Sequence, residues 1–465
     1  MYTKKAHIHF VGIGGIGMSA IATIVRDQGY VISGCDLDLE QKSVSNLRAL
    51  GCTIYHGNNT PGCQDNSIDI LVYSSAINAH DPEIIAAQER GIPTIARALM
   101  LAELMRTKYS IAIGGAHGKT TTTSLISHIL IEAAMDPTVI IGGHLQTISS
   151  NARLGKGDFL VAEADESDRS FLHLQATLAI VTNIDLEHLE TYNDLDDIKN
   201  TFKQFLNNLP FYGKAIVCID DENVRSILPM PHIKTIRYGI EHSDADIRAH
   251  SIDLQPDSSL FTVWCAHEQR DLGLVKLAMP GRHNVLNALA AIALARDVGV
   301  PFTTIAHALQ SFKGVDRRFT YRGLFRGAEV FDDYGHHPNE IRSTLLVAKR
   351  RARGNLVVVF QPHRYTRTSK LWDDFVQAFV ESGVDTLIIT DIYPASEQPV
   401  PDITGENLVR AIQQKNPYLN VTYVPFENTY DYVTTAPDII TDTTLLLFLG
   451  AGKITKLSTK IAQPH

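Results

Sequence analysis

The stretch SIAIGGAHGKTTTTSLISHILIEA, residues 110–133, sets the fold. SIAIG is a short apolar run and reads as a buried strand. The glycines break it, and the threonine-led apolar pattern after Lys119 reads as a helix. A strand, a glycine-rich turn and a helix in that order form the context of a phosphate-binding loop. Backbone N–H groups at the helix start favour an anion, Lys119 can neutralise β and γ phosphates, and the Thr120 hydroxyl can coordinate Mg2+. Gly115, Ala116, His117, Gly118, Lys119, Thr120 and Thr121 are therefore the candidate contacts to ATP. The strict G-x-x-x-x-G-K-[ST] spacing is not met, because Ile113 stands five positions before Gly118.

Upstream, HIHFVGI, VISGCD, DILVYSS and IPTI alternate with helical patterns, a βαβ rhythm that implies a parallel sheet. A helical stretch, ARALMLAELMRTK, closes this unit near residue 107. Downstream, TVIIGG, DFLVAEAD, ATLAIVTN and KAIVCID continue the alternation, and residues 246–278 read as short antiparallel strands. After FKGVDRRF the rhythm restarts with AEVFDDYG, NLVVVFQPH, VDTLIITDIYP, NVTYVP and TLLLFLGAG. The expected fold class is α/β in three domains: Rossmann-like over 1–107, a P-loop domain with a mixed sheet over 108–314, and a second Rossmann-like domain over 315–465.

Acidic residues follow two central strands. EADESD at 163–168 comes directly after FLVA, and VTNIDLEHLE at 181–190 repeats the arrangement one strand later. Carboxylates at the C-terminal edge of a sheet stand where ligands and metals bind, so Glu163 joins Thr120 as a candidate Mg2+ ligand, and His188 is either a further ligand or an ordinary loop histidine. Near the amino terminus Gly12, Gly14 and Gly17 read G-x-G-x-x-G between a strand and a helix, with Asp36 at the end of the second strand. Alone, that fingerprint suggests NAD and an oxidoreductase. A second, ATP-type loop in one chain sits awkwardly with a dehydrogenase, and a regulatory P-loop NTPase would not need two glycine-rich loops.

Taken in order, GIGGIGM (12–18), GGAHGKTTTT (114–123), EADESD with SFLHL, TNIDLEH, GRHNVLN (281–287), Arg317–Arg318, DDYGHHP (332–338) and QPHRYTRT (361–368) resemble the Mur ligases, bacterial enzymes that build the peptide stem of peptidoglycan. The resemblance runs almost end to end. It implies ATP-dependent joining of L-alanine to the lactyl carboxylate of UDP-N-acetylmuramate, with ATP and Mg2+ required. A ligase that attaches a ready-made tripeptide to the same sugar nucleotide is the nearest alternative. By position, the resemblance gives Lys119, Glu163, His188 and Arg318 catalytic roles, and places Asn284 and Asn287 near the adenine. One of Arg317 and Arg318 goes to the γ-phosphate and Asp333 to the ribose. It assigns the UDP diphosphate to the loop Gly12, Ile13, Gly14, Gly15, Ile16 and Gly17 and the amino acid to His363, Arg364 and Arg367; Asp36 at its strand end joins the first group, Ser74 and Ser75 after another strand are either sugar-nucleotide contacts or an ordinary capped turn, and Tyr334 and His336, in a strand-to-helix loop, join the second. Three departures stand out: Ala116 where the family usually has threonine, Glu187 where aspartate is usual, and GAGKITKL at 450–457 in place of a more acidic ending.

The bulk properties narrow the partners. A formal charge of −9 disfavours nucleic acid and leaves small anionic molecules as the expected ligands. No apolar run approaches the roughly 20 residues of a membrane helix, and the start MYTKKAHIHFVGIGG lacks a secretory pattern, so a cytoplasmic monomer or homodimer is expected. The five cysteines are scattered and never spaced C-x-x-C, which predicts buried apolar side chains rather than a disulfide framework or a zinc cage.

Overall fold

A computed structural model describes residues 6–57, 61–74, 77–78, 80–145, 150–395, 397–435 and 439–462. Three sheets organise it. The first contains β1 (His7–Val11), β2 (Val31–Asp36), β3 (Thr53–His56), β4 (Ile70–Tyr73) and β5 (Thr94–Ala96), in the order β3-β2-β1-β4-β5 with every pair parallel. Order reverses at β1, and the glycine loop stands at its C-terminal end, where open parallel sheets leave a crevice. The strand TIYH, β3, is too short and too mixed to be legible in the sequence.

The second sheet is built from β6 (Tyr109–Gly114), β7 (Thr138–Leu145), β8 (Ser150–Arg153), β9 (Phe159–Glu163), β10 (Leu178–Val181), β11 (Lys214–Cys218), β12 (Lys234–Gly239), β13 (Ile247–Leu254), β14 (Ser259–Cys265) and β15 (Arg270–Leu277). The order is β15-β14-β13-β12-β11-β10-β6-β9-β7-β8. Its centre is parallel, whereas β13, β14 and β15 pair antiparallel with one another and β8 pairs antiparallel with β7. The central strands are apolar because helices cover them: Ile111, Ile113, Val161 and Ile180 face Leu125, Ile126 and Ile129 of the helix Lys119–Glu132 and Leu289 and Ile292 of the helix Arg282–Asp297 in one core.

The third sheet orders β16 (Thr320–Phe325), β17 (Ala328–Asp333), β18 (Leu356–Phe360), β19 (Thr386–Ile389), β20 (Asn420–Tyr423) and β21 (Leu445–Leu449) as β16-β17-β21-β18-β19-β20. Only β16 is antiparallel to its neighbour. The α/β architecture with a mixed central sheet is that expected from the sequence. No described helix is long and apolar enough to cross a membrane.

Side chains tie the sheets together. Arg97, following β5, reaches Asp165 after β9 at 2.9 Å. Asn151 of β8 donates to the Ile16 carbonyl (2.7 Å) and to Ser19 (3.1 Å) on the first helix. On the other side Asn339 donates to Asp185 (2.5 Å) and Arg364 to Glu190 (3.1 Å). Both pairs join the loop after β10 to the C-terminal domain.

Candidate active site between the central and C-terminal domains

The loop 115–118 turns where only glycine fits. Gly118 has φ +82°, and a Cβ there would lie 2.4 Å from Asn287 Oδ1; at Gly115 (φ +130°) it would lie 2.1 Å from Thr182 Oγ1. Lys119 opens the helix and folds its ammonium back onto the loop, donating to the carbonyls of Gly115 (2.5 Å) and Ala116 (3.1 Å) and to Glu166 Oε1 (2.7 Å). Burial works against its charge, but Glu166 outweighs burial and raises the pKa. Lys119 is therefore a cation at working pH, already positioned and carrying a carboxylate that an arriving phosphate can replace.

Glu163 ends β9. It accepts from the Gly142 N–H (2.8 Å) and the Thr120 hydroxyl (3.2 Å), so these two candidate metal ligands are neighbours. Burial raises its pKa, although Gly142 and Lys119 pull the other way. Two overlapping groups here could surround an ion, Glu166–Glu187–His188 and His117–Glu187–His337, and Glu163 is in neither. Glu166 and Glu187 escape a sequence reading because acidic residues in loops are usually solvated, whereas both are buried here. Glu166 Oε2 has no hydrogen-bond partner among the described residues. His188, with φ +54°, stands 3.6 Å from Glu166 and 3.5 Å from Glu190, and these carboxylates overcome burial to push its pKa up to about 9.

A cavity of about 770 Å³ opens between the P-loop and the C-terminal domain, large enough for a nucleotide. His117, Gly118, Thr121, Asn284, Asn287, Arg318 and Asp333 line it, so seven residues from four separate sequence motifs converge on one space. Asn284 and Asn287 share one face of their helix and are bonded to each other at 3.3 Å, with Thr122 donating to Asn287 at 3.3 Å. Both are buried, so neither is a solvated surface amide; the N-cap is Gly281.

The adjacent arginines part company. Arg318 faces the cavity and stands 3.7 Å from Glu340. Arg317, with φ +61°, turns the other way, donating to the Gly450 carbonyl at 2.6 Å and lying over the Tyr334 ring at 4.7 Å. The chain twist at Arg317 separates two side chains that sequence alone cannot rank. Asp333 lines the cavity but already accepts from Phe319 N–H, Gly335 N–H and Thr344 Oγ1 (2.8, 2.8 and 3.1 Å). It thus braces the turn as well as facing the ligand space.

His117 joins the domains electrostatically. Its ring is 2.9 Å from Asp185 and 3.5 Å from Glu340, and despite burial these carboxylates raise its pKa to about 10. The amino-acid candidates cluster nearby: His336 and His363 rings are 5.8 Å apart, and Arg367 donates to His363 Nδ1 at 3.4 Å. Burial lowers His336 to about 4 and His363 to about 3, so both rings are neutral acceptors at neutral pH. Arg364, expected beside them as a clamp, is engaged with Glu190 across the domain boundary. His337, crowded into the same loop, caps the helix Pro338–Arg351.

In the N-terminal domain Gly14 N–H donates to Asp36 Oδ2 at 2.7 Å, and Asp36 Oδ1 accepts from Asp38 N–H at 3.0 Å. Asp36 therefore holds the glycine loop rather than facing outward. Arg97, overlooked in the sequence because it opens an ordinary helix, packs so that a Cβ on Gly17 would lie 2.8 Å from its guanidinium. Ser74 lies close to Gly12, and Ser75 is outside the described residues.

Comparison with known proteins agrees with this architecture. Residues 7–109 match the family model described as Mur ligase family, catalytic domain; residues 113–295 match the Mur ligase middle domain; residues 317–452 match the Mur ligase, glutamate ligase domain. The chain is 48% identical over 458 residues, 98% of this chain and 97% of the other, to the UDP-N-acetylmuramate–L-alanine ligase of Geotalea uraniireducens. It is 47% identical over 464 residues to the enzyme of the same name from Geotalea daltonii, covering 100% and 99% of the two chains. The crystal structure of the UDP-N-acetylmuramate–alanine ligase of Thermotoga maritima superposes with a TM-score of 0.81 at 28% identity, covering 98% of each chain. A murein peptide ligase from Psychrobacter arcticus shares the fold, with a TM-score of 0.74 at 24% identity over 99% of each chain. With full-length relatives at this identity and family models along all three of its sheets, the chain belongs to the Mur ligase family.

Proposed function

We propose that this chain is an ATP-dependent carbon–nitrogen ligase that joins L-alanine to the lactyl carboxylate of UDP-N-acetylmuramate, giving UDP-N-acetylmuramoyl-L-alanine, ADP and phosphate for peptidoglycan synthesis. The observation that carries it is the convergence on one cavity of the P-loop, the Asn284–Asn287 face, Arg318 and Asp333, with the Glu166–Glu187–His188 cluster beside Lys119. The names of the full-length relatives favour alanine over a ready-made tripeptide and over a dehydrogenase.

In this reading ATP enters with its adenine toward Asn284 and Asn287 and its phosphates over the loop 115–121. Lys119 exchanges Glu166 for the β and γ phosphates, and Arg318 meets the γ-phosphate from the other domain. Two donor groups suit Mg2+, Glu163 with the Thr120 hydroxyl and Glu166 with Glu187 and His188, and Glu166 Oε2 has no hydrogen-bond partner among the described residues. When bound, Mg2+ would supply charge neutralisation between a triphosphate and an incoming carboxylate. The sugar carboxylate attacks the γ-phosphorus and ADP leaves. The resulting acyl phosphate is attacked by the alanine amine, and inorganic phosphate departs from the tetrahedral intermediate.

This chain's residues mostly position and neutralise. The glycine loop 12–17, braced by Asp36 and flanked by Arg97 and Ser74, holds the UDP diphosphate. His336, His363, Arg364 and Arg367, with Tyr334 beside them, receive alanine, and approach of the C-terminal domain excludes water from the acyl phosphate. Phosphate release assayed with each substrate withheld in turn tests the proposal. Release that requires all three and is fastest with L-alanine in a panel of amino acids and peptides supports it; ATP hydrolysis indifferent to the sugar nucleotide overturns it.

A further inference from the structure

Beneath the glycine loop of the N-terminal domain lies a second cluster that the proposed reaction does not use. His9 comes from β1, Cys35 from β2, Cys63 from the short turn Pro61–Gln64 and Glu83 from the first turn of the helix Pro82–Glu89. One ligand atom from each lies within 4.8 Å of the other three, and all four residues are buried. His9 Nε2 is 2.6 Å from Glu83 Oε1, and Cys35 Sγ donates to Glu83 Oε2 at 3.0 Å. The two cysteines are unbridged. Cys35 and Cys63 stand 28 positions apart, a spacing with no zinc signature, so only the tertiary fold brings them together.

We propose that His9, Cys35, Cys63 and Glu83 form a structural site for one thiophilic divalent cation of the zinc class. Two sulfurs, an imidazole and a carboxylate are the ligand types of tetrahedral zinc, and thiolates select against Mg2+. Metal–ligand bonds of about 2.0–2.3 Å put tetrahedral ligands roughly 3.3–3.8 Å apart, so seating the ion opens the His9–Glu83 contact by under about 1 Å. The other face of His9 is already arranged for ligation: Nδ1 is 2.7 Å from Ser33 Oγ, which is 2.7 Å from His7 Nε2. With Nδ1–H donating to Ser33, the Nε2 lone pair points at the cluster. Four protein ligands close the coordination sphere, which marks a structural rather than a catalytic ion.

Its effect would reach the substrate loop through Cys35. The Cys35 carbonyl accepts the N–H groups of Gly12 and Ile13, at 2.9 and 3.0 Å. An ion on its sulfur pins the floor of the UDP-binding turn to the helix 82–89.

The decisive measurement is the visible and near-ultraviolet spectrum of the intact chain loaded with Co2+. One cobalt per chain with tetrahedral d–d bands and a thiolate-to-cobalt charge-transfer band is expected, lost on adding one equivalent of Zn2+ and absent from Cys63→Ser. The band should survive in His188→Ala, because the carboxylate–histidine cluster of the active site contains no sulfur. A wild-type chain that shows no charge-transfer band although all five thiols react after unfolding overturns the site. So does a Cys35–Cys63 disulfide, seen as a mass two hydrogens lower without reductant. Because the wild-type spectrum decides, a Cys63→Ser chain that fails to fold does not protect the idea.

Discussion

Lys119, on the loop beside the cavity, and Arg318, which lines it, come from two domains, and they should fail differently from their neighbours. Lys119→Ala removes a preorganised cation and should lower kcat on the order of 10²–10³-fold in a phosphate-release assay. Arg318→Ala should weaken kcat/KM for ATP with little change in thermal midpoint, since Arg318 faces the cavity. Arg317→Ala should do the reverse, because its guanidinium holds the carbonyls of Gly450 and Ala451 (2.6 and 3.4 Å) and stacks on Tyr334. Equal loss of ATP binding in both variants would contradict this separation. The doublet is plain in the sequence, but the division of labour comes from the positive φ at Arg317.

At the scale of elements, the strand–loop–helix unit around residue 118 is the part most legible beforehand. Glycine spacing, an apolar strand and a threonine-led helix are local signals, and local sterics require Gly118. Gly118→Ala forces an L side chain into the left-handed region, costing about 1–2 kcal/mol, and drives its Cβ against Asn287. Loss of ATP binding, measured by calorimetry, should accompany a lowered melting temperature. The helix Pro338–Arg351 offers a subtler case. Glu340 caps its N-terminus, receives His336 N–H at 3.1 Å and faces both His117 and Arg318. Burial alone would raise its pKa, but His336, His117 and Arg318 hold it well below the carboxylate range. Glu340→Gln should therefore lower the His117 pKa, observed by NMR, while raising KM for ATP. His336 is only four residues away, but His117 and Arg318 come from elsewhere in the chain, so a sequence reading sees little more than a capping residue after Pro338.

For the whole molecule, the contacts joining central and C-terminal domains include charged pairs, His117 with Glu340 and Arg364 with Glu190, which suits closure on substrates. His117 with a folded pKa of about 10 favours the folded state while protonated, held by Asp185 in its own domain and by Glu340 across the boundary. Its contribution is fully present below the unfolded value near 6.5 and is lost as pH rises through about 10. Asp185 and Glu340, both held below their ordinary range, remain charged through mildly acid solution. Thermal unfolding should show the His117 contribution shrinking as pH rises from about 6.5 to about 10, and Asp185→Asn should make it smaller. Arg364→Ala removes the Glu190 bridge and the proposed amino-acid clamp together, so KM for alanine should rise more than KM for ATP.

The sequence by itself determined the three α/β units, both glycine loops and the acidic strand ends. Those features depend on neighbours within a few residues, where hydrophobic period, glycine φ and helix start signals act. Only the tertiary structure decided that Glu166 and Glu187 are buried beside His188, that Arg318 rather than Arg317 faces the cavity, and that Asp36 braces its loop. It also placed Arg97 against Gly17 and Asp165, and Cys35 and Cys63 with His9 and Glu83. These are long-range encounters. Which residues share a site depends on how strands order across a sheet and how domains meet, and no local spacing in the chain encodes that.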